Sequence, residues 1–230
     1  MKNRIIVALD TDSPEKALET VRLLKGEVGM FKVGLELFPI GGAELVRKIR
    51  DSGADVFLDL KFHDIPNTVA GAIRSAVALG VRFATVHASG GRAMLVAAAK
   101  AAEGSLTTIL AVTVLTSLDD ADLREVGYAT GTRETVLRLA RMAREAGIGG
   151  LVCSALEVAE VRDVVRNGVV LVTPGVRFPE DAIGDQKRVV TPGEAVRNGS
   201  DFIVVGRPIT QASDPVAAAR RIAAHMVKGS

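Results

Sequence analysis

Eight short apolar runs alternate with longer amphipathic stretches, which predicts an α/β protein with the (β/α)8 TIM barrel fold. Such alternation requires parallel strands joined by helical crossovers. Several runs begin about 25 residues after the previous one, the length of one strand plus one helix. An open doubly wound sheet usually has a glycine-rich turn after its first strand. Here the first strand ends in Leu9-Asp10-Thr11-Asp12, so we expect a closed barrel.

The predicted strands are rich in Val, Ile and Leu, as is typical of parallel strands covered on both faces. They cover residues 4–10, 30–35, 55–61, 82–87, 107–115, 150–154, 169–174 and 202–206. The predicted helices carry apolar residues at helical spacing, as at Ala17, Val21 and Leu24 of the first helix. They cover residues 14–25, 41–51, 66–79, 92–102, 133–146, 156–166, 191–198 and 215–227.

The chain contains no Pro- or Gly-rich linker and no shift in composition, so we expect one domain over residues 1–230. Two connections, residues 116–131 and 176–190, are too long for plain turns. Loops of this length are often lids or binding loops. Both follow the C-terminal ends of strands, which form the face that carries the active site in barrels of this kind.

The composition argues against several classes of function. Aromatic residues make up 3% of the chain, too few for a stacking platform that binds nucleic acid. The net charge is +2 and the charges are interleaved, so neither a nucleic-acid groove nor a membrane-binding patch is predicted. The longest uncharged stretch, residues 104–118, is shorter than the roughly 20 residues of a membrane span. The single cysteine, Cys153, forms no intrachain disulfide, which fits a cytoplasmic protein.

Charged residues interrupt the apolar strands near their C-terminal ends. Asp10 ends the first strand, Lys32 lies in the second, and Asp59 and Lys61 lie in the third. Because strand residues i and i+2 share a face, Asp59 and Lys61 point the same way. A buried ion-pair network that only stabilises the barrel could explain one such pair. Four charged groups at one rim favour a functional site instead, because burying charge is costly.

Asp64 has a simpler explanation. It precedes Ile65-Pro66 at the start of a predicted helix, where Asp is a favoured capping residue and Pro a favoured first-turn residue. Capping alone could account for Asp64, but it does not account for Asp59 and Lys61.

The motif in residues 59–68, DLKFHDIPNT, resembles the signature of the orotidine 5′-phosphate decarboxylase family. The resemblance extends over the whole chain. It includes VALD at 7–10, KVG at 32–34, VTVLTS at 112–117, TPGVR at 173–177, GDQKR at 184–188 and VGRPI at 205–209. It implies removal of CO₂ from C6 of orotidine 5′-phosphate to give UMP, a step of pyrimidine biosynthesis, with neither cofactor nor metal.

The resemblance also implies a role for each residue of the charged cluster. Lys61 is the expected proton donor to C6, and Asp59 and Asp64 are expected to hold its ammonium group. Lys32 completes an alternating array of charges.

The remaining residues are expected to bind the substrate. The resemblance implies that Asp10, Lys32 and Thr68 contact the ribose and that Thr116 contacts the pyrimidine. Barrels often bind phosphate with the loops after strands seven and eight. The candidates there are Arg177, Gln186, Gly206 and Arg207, although Arg177 and Gln186 alone would be read as ordinary loop residues.

The resemblance further implies a homodimer with shared active sites, in which Asp64, Ile65 and Thr68 enter the neighbouring subunit's site. Two alternatives stay open at this stage. One is a Mg²⁺-dependent decarboxylase or aldolase of a keto-sugar phosphate on the same scaffold, against which Ile65-Pro66 and Thr68 argue. The other is a catalytically idle sensor of a phosphate ligand, which would not need to bury this array of charges.

Overall fold

In the computed structural model, eight parallel strands close into a barrel in the order of the sequence. The structure describes residues 1–179 and 190–228. The strands are β1 Ile5–Ala8, β2 Met30–Gly34, β3 Asp55–Phe62, β4 Phe83–His87, β5 Thr108–Val112, β6 Gly150–Val152, β7 Val170–Thr173 and β8 Phe202–Val205. Pairing of β1 with β8, for example Ile6 with Val204, closes the ring. The predicted (β/α)8 barrel is therefore confirmed.

Helices surround the strands on the outside. They are α1 Pro14–Leu24, α2 Phe38–Asp51, α3 Pro66–Ala78, α4 Gly91–Ala101, α5 Asp120–Glu125, α6 Thr132–Glu145, α7 Val158–Val165, α8 Pro192–Arg197, α9 Arg207–Thr210 and α10 Pro215–Lys228. Short 3₁₀ turns at Lys2–Arg4 and Ala88–Gly90 precede β1 and α4. None of the helices within these described ranges has the length and apolar character needed to cross a membrane.

The elements differ from the sequence prediction in three places. The predicted loop 116–131 contains α5, which begins with a reciprocal capping box between Asp119 and Asp122. A one-turn helix, α9, directly follows β8. The second helix starts at Phe38 rather than at residue 41, because the chain is already helical before a kink at Gly42, where φ is 57°.

The apolar core forms two layers. One layer lies between the strands and the helices. The other fills the inside of the barrel and consists of Ile6, Ala8, Met30, Phe57, Phe83, Leu110, Val172 and Val204. Phe57 and Phe83 pack edge to face at 6.0 Å between ring centroids. Side chains alternate along a strand, so the residue two positions after each of these also points into the barrel. Nearer the C-terminal end of the barrel, these residues include Lys32, Asp59 and Thr85.

Candidate active site

A cavity of about 660 Å³ opens at the C-terminal end of the barrel. Eight of the residues predicted to form the site line it: Asp10, Lys32, Asp59, Lys61, Thr116, Arg177, Gly206 and Arg207. They come from six of the strand ends and from the loops that follow them. The barrel therefore brings together residues that lie far apart in the sequence.

The charged groups at the base of the cavity form a connected array. Lys61 Nζ donates to Asp59 Oδ2 at 2.8 Å, and Lys32 Nζ lies 3.7 Å from the same oxygen. Lys32 Nζ also donates to Asp10 Oδ1 at 3.0 Å. Asp59 is 8% exposed, so this carboxylate is compensated by two ammonium groups in a largely buried position. The array therefore alternates in sign from Asp10 through Lys32 and Asp59 to Lys61.

A local irregularity in β3 shapes this array. Leu58 pairs with Ala84 and Phe62 pairs with Val86, so residues 59–61 lie opposite Thr85 alone. Within this bulge Lys61 adopts a φ of 50°, which is uncommon for a residue other than glycine. Backbone of this kind often occurs at functional sites, where the surrounding structure holds it in place.

Because Gly34 has no side chain, it leaves room for the end of the Lys32 side chain. A Cβ atom at Gly34 would lie 2.8 Å from Lys32 Nζ, closer than real Cβ contacts. A larger residue at this position would therefore displace the ammonium group from Asp10 and Asp59. Gly34 was not predicted to have a role in the site; its position two residues after Lys32 on the same strand was the available signal.

Apolar side chains line the deep part of the cavity beside the charged array. They are Ala8, Phe57, Val112, Val152 and Val204. Charges beside such an apolar wall interact more strongly than they would in bulk water. The cavity therefore combines an apolar wall with a few placed charges, which is the usual composition of a small-molecule site.

The chain after β7 and after β8 carries the residues predicted to bind phosphate. Arg207 is exposed at the start of α9, and Arg177 lies at the base of the loop after β7. A bridge between Val176 and Val190 closes that base. A Cβ atom at Gly206 would make ordinary contacts at 3.6 Å with Ala8, so the protein itself leaves room there. Gln186 lies outside the residues that the structure describes.

Asp64, Ile65 and Thr68 lie apart from the cavity of their own chain. All three are exposed, and Ile65 has 68% of its surface accessible. Asp64 Oδ1 accepts the backbone N–H of Ile65 at 2.6 Å, just before α3 begins. In the part of the chain that the structure describes, the Asp64 carboxylate forms no ion pair with Lys61 or Lys32. The structure thus assembles Asp59, Lys61, Lys32 and Asp10 but leaves these three residues facing outwards.

Two histidines flank the charged array, and the sequence analysis did not assign them to the site. The rings of His63 and His87 lie 5.5 Å apart. Burial lowers the pKa of His87, and the neighbouring His63 and Lys61 lower this pKa further. The nearby Asp59 opposes this shift, but the net lowering of the pKa favours the neutral form of His87.

Thr85 is a further residue that the sequence analysis missed. It is fully buried in β4, and its hydroxyl group bonds both to the Asp59 carboxylate and to the backbone of Lys61. The available signal was a hydroxyl-bearing residue at an interior position of an otherwise apolar strand.

Comparison with known proteins identifies the family. The family model described as orotidine 5′-phosphate decarboxylase / HUMPS family matches residues 3–222. The orotidine 5′-phosphate decarboxylase of Anaeromyxobacter sp. (strain K) is 56% identical over 221 residues, which are 96% of this chain and 97% of that protein. The decarboxylase of Moorella thermoacetica is 51% identical over 233 residues, 98% of this chain and 92% of that protein.

A solved structure gives the same result. The crystal structure of orotidine 5′-phosphate decarboxylase from Lactobacillus acidophilus superimposes with a TM-score of 0.85. That protein is 40% identical in sequence, and the match covers 96% of this chain and 98% of that one. The similarity thus includes the strands and the loops that form the cavity, and the chain belongs to the orotidine 5′-phosphate decarboxylase / HUMPS family.

Proposed function

We propose that this chain, as one domain over residues 1–230, converts orotidine 5′-phosphate to UMP and CO₂ without a cofactor. The observation that carries the proposal is the Lys61–Asp59–Lys32 array at the base of an apolar-walled cavity. The choice of substrate is supported by relatives named orotidine 5′-phosphate decarboxylase. Their sequences are about half identical to this chain over nearly their full length.

The chemical difficulty lies at C6 of the pyrimidine ring. When the bond from C6 to the carboxylate breaks, CO₂ leaves and the electron pair stays on C6. That pair lies in the ring plane and does not delocalise into the π system, so the protein must stabilise it through fixed charges. The pair then takes a proton, which gives UMP.

Lys61 suits both tasks. Its ammonium group is a compact cation with transferable protons, and the 2.8 Å bond to Asp59 fixes its position. In this proposal Lys61 Nζ attracts the developing negative charge and then donates a proton to C6. The neutral amine regains a proton from solvent, so the charge array is restored for the next turnover.

Binding of the rest of the nucleotide is assigned to the other walls of the cavity. Arg207, Arg177 and Gln186 are proposed to hold the phosphate, with Gly206 allowing close approach of the backbone. Arginine suits this task because its guanidinium group donates two parallel hydrogen bonds to phosphate oxygens. Asp10 and Lys32 are proposed to bind the ribose, and Thr116 the pyrimidine.

A homodimer would complete the site. The outward-facing Asp64, Ile65 and Thr68 are proposed to enter the cavity of the neighbouring subunit, where the partner's Asp64 would pair with Lys61. A two-fold axis makes such an exchange reciprocal. The exposure of Ile65, a large apolar residue, supports an interface at this segment.

The alternative within the family is a Mg²⁺-dependent enzyme that acts on a keto-sugar phosphate. Two observations weigh against it. The Oδ2 atom of Asp59 already faces two ammonium groups, which would repel a divalent cation. Among residues 1–179 and 190–228, no three His, Cys, Asp or Glu residues converge as metal ligands.

The test is turnover of orotidine 5′-phosphate by the purified chain, with and without EDTA. We expect equal amounts of UMP and CO₂, with a rate that EDTA leaves unchanged. No UMP, together with turnover of a keto-sugar phosphate that depends on added Mg²⁺, would establish the alternative. Binding of phosphate ligands without any turnover would indicate the sensor.

A further inference from the structure

We propose that Thr85 is a positioning residue, which holds Asp59 and Lys61 in the geometry that decarboxylation requires. This inference rests on the proposed function and adds to it a residue that lies outside the cavity wall. The side chain of Thr85 is fully buried on β4, at the interior position next to Asp59.

The Thr85 hydroxyl group makes two hydrogen bonds, and both go to residues of the array. Its oxygen accepts the backbone N–H of Lys61 at 2.9 Å. Its proton is donated to Asp59 Oδ1 at 3.0 Å. Because a hydroxyl group has one proton and the ionised carboxylate only accepts, the direction of both bonds is fixed. One side chain thus links the backbone of the proposed proton donor to the carboxylate that holds its ammonium group.

The first of these bonds compensates for the bulge in β3. Residues 59–61 lie opposite Thr85 alone, so the regular pairing of the two strands is interrupted there. The backbone N–H of Lys61 therefore takes its acceptor from a side chain. Without it, a partly buried donor would lose its partner at a residue whose φ is 50°, where the backbone is already strained.

The second bond orients the Asp59 carboxylate. Thr85 occupies Oδ1, so Oδ2 is turned towards both ammonium groups, 2.8 Å from Lys61 Nζ and 3.7 Å from Lys32 Nζ. Rotation of the carboxylate would lengthen at least one of these contacts. Small displacements of charged groups in a poorly hydrated site have large effects on rate, because catalysis depends on preorganised charges.

Thr85 is fully buried and is not among the residues that line the cavity, so we expect no direct contact with the substrate. Its loss is therefore expected to affect the chemical step rather than binding. Replacement by valine keeps the shape of the side chain and removes both hydrogen bonds, whereas replacement by serine keeps the hydroxyl group. Thr107→Val is the matched control, because Thr107, just before β5, is also buried and donates its hydroxyl proton to Val81 O at 2.7 Å.

The experiment measures kcat and KM for orotidine 5′-phosphate with wild type, Thr85→Val, Thr85→Ser and Thr107→Val. We expect Thr85→Val to lower kcat about 10- to 100-fold, with KM changed by less than about threefold. Serine should restore most of kcat, and Thr107→Val should keep it. A Thr85→Val enzyme with wild-type kcat, or a serine variant as slow as the valine variant, would overturn the inference. If Thr85→Val does not fold, Thr85→Ala takes its place.

A crystal structure of the Thr85→Val variant separates this inference from the proposed function. The inference predicts a rotated Asp59 carboxylate or a changed φ at Lys61, whichever substrate the enzyme uses. An unchanged Asp59–Lys61 pair in the variant would contradict the inference. A wild-type chain that makes no UMP would contradict the proposed function, and the geometry of the variant would still decide the role of Thr85.

Discussion

The barrel has a cluster of charged groups at each end, and the two clusters differ in what satisfies the charges. At the N-terminal end, Arg4 donates to the backbone carbonyls of Ser200 and Asp201. Arg162 donates to the carbonyl groups of Val169 and Gly199 and to the Asp201 carboxylate. At the C-terminal end, Lys61 bonds to one carboxylate and borders an open cavity.

This difference separates a stabilising cluster from a chemical one. Arg162 bonds to two backbone carbonyls and one carboxylate, which ties the residue before β7 to the residues before β8. The Lys61 ammonium group has three N–H bonds, of which Asp59 accepts one within the described residues. The other N–H bonds remain available to a substrate or to a partner subunit. In this molecule, the cluster that leaves donors for a ligand is the one that borders the cavity.

The largest expected effect concerns the C-terminal cluster. Two variants test whether the residues of one active site come from one chain or from two. Lys61→Ala and Asp64→Asn should each lower turnover at least about 100-fold. If Asp64 acts in the neighbouring subunit's site, a mixed dimer has one site with both lesions and one with neither. Random mixing of equal amounts makes half of the dimers mixed, so about a quarter of wild-type activity should return.

Subunit exchange in that experiment is followed with two differently tagged variants. Exchange without recovery of activity would show that Asp64 acts within its own chain. The structure would then have to bring the Asp64 carboxylate inwards from its exposed position.

The next effect concerns the phosphate side of the cavity. Arg207→Ala should lower kcat/KM for orotidine 5′-phosphate about 10- to 100-fold, because a charge-assisted bond to the phosphate is lost. Activity on orotidine, which lacks the phosphate, should hardly change. Arg138→Ala is a suitable control, since Arg138 is an exposed arginine of α6 whose ion-pair partner, Glu134, lies one turn away on the same helix. Equal losses on both substrates would remove Arg207 from the phosphate site.

For the N-terminal cluster we expect the reverse, a loss of stability without a loss of activity. Arg162→Met keeps much of the apolar stem and removes the bonds to Val169, Gly199 and Asp201. We expect the free energy of unfolding to fall by about 1–3 kcal/mol, while kcat stays at the wild-type value. Urea unfolding and turnover at saturating substrate measure the two quantities. A large loss of kcat at unchanged stability would contradict the assignment of this cluster to stability.

The smallest effect is a dependence of stability on pH at His87. Burial, with smaller contributions from His63 and Lys61, lowers the pKa of His87 from its ordinary value of 6.5. The unfolded chain therefore binds a proton at a higher pH than the folded chain does. Stability contributed by neutral His87 is present above about pH 6.5 and is lost as the pH falls through that value towards the folded pKa.

Replacement of His87 by Gln should reduce this loss. The measurement is urea unfolding at about pH 7.5 and about pH 5.5 for the wild type and the variant. If the two proteins lose the same amount of stability between these pH values, His87 does not carry the effect.

The barrel could be predicted from the sequence because the signals for its strands and helices are local and repeated. Apolar periodicity marks each strand and helix, and eight such units leave few topologies. The elements that it missed are short: α5 depends on the capping box of Asp119, and α9 is a single turn after β8. Helices as short as these lack the apolar periodicity that marks longer ones.

For the site, the sequence predicted that Asp10, Lys32, Asp59 and Lys61 gather at one rim but not what holds them there. Asp59 and Lys61 follow from the alternation of side chains along one strand. Thr85 and Gly34 do not, because their roles depend on a bulge in β3 and on the path of the Lys32 side chain. A register shift between neighbouring strands leaves no local pattern in either segment.

The central claim is that Lys61 delivers the proton to C6, and the reverse of that step tests it most directly. In D₂O the wild-type enzyme should exchange the C6 proton of UMP for deuterium, which ¹H NMR follows as a loss of the H6 signal. Lys61→Ala should still bind UMP, shown by titration, but should lose this exchange. Lys16→Ala, at an exposed position of α1, is the control and should exchange like the wild type. Wild-type exchange by a UMP-saturated Lys61→Ala enzyme would contradict the account.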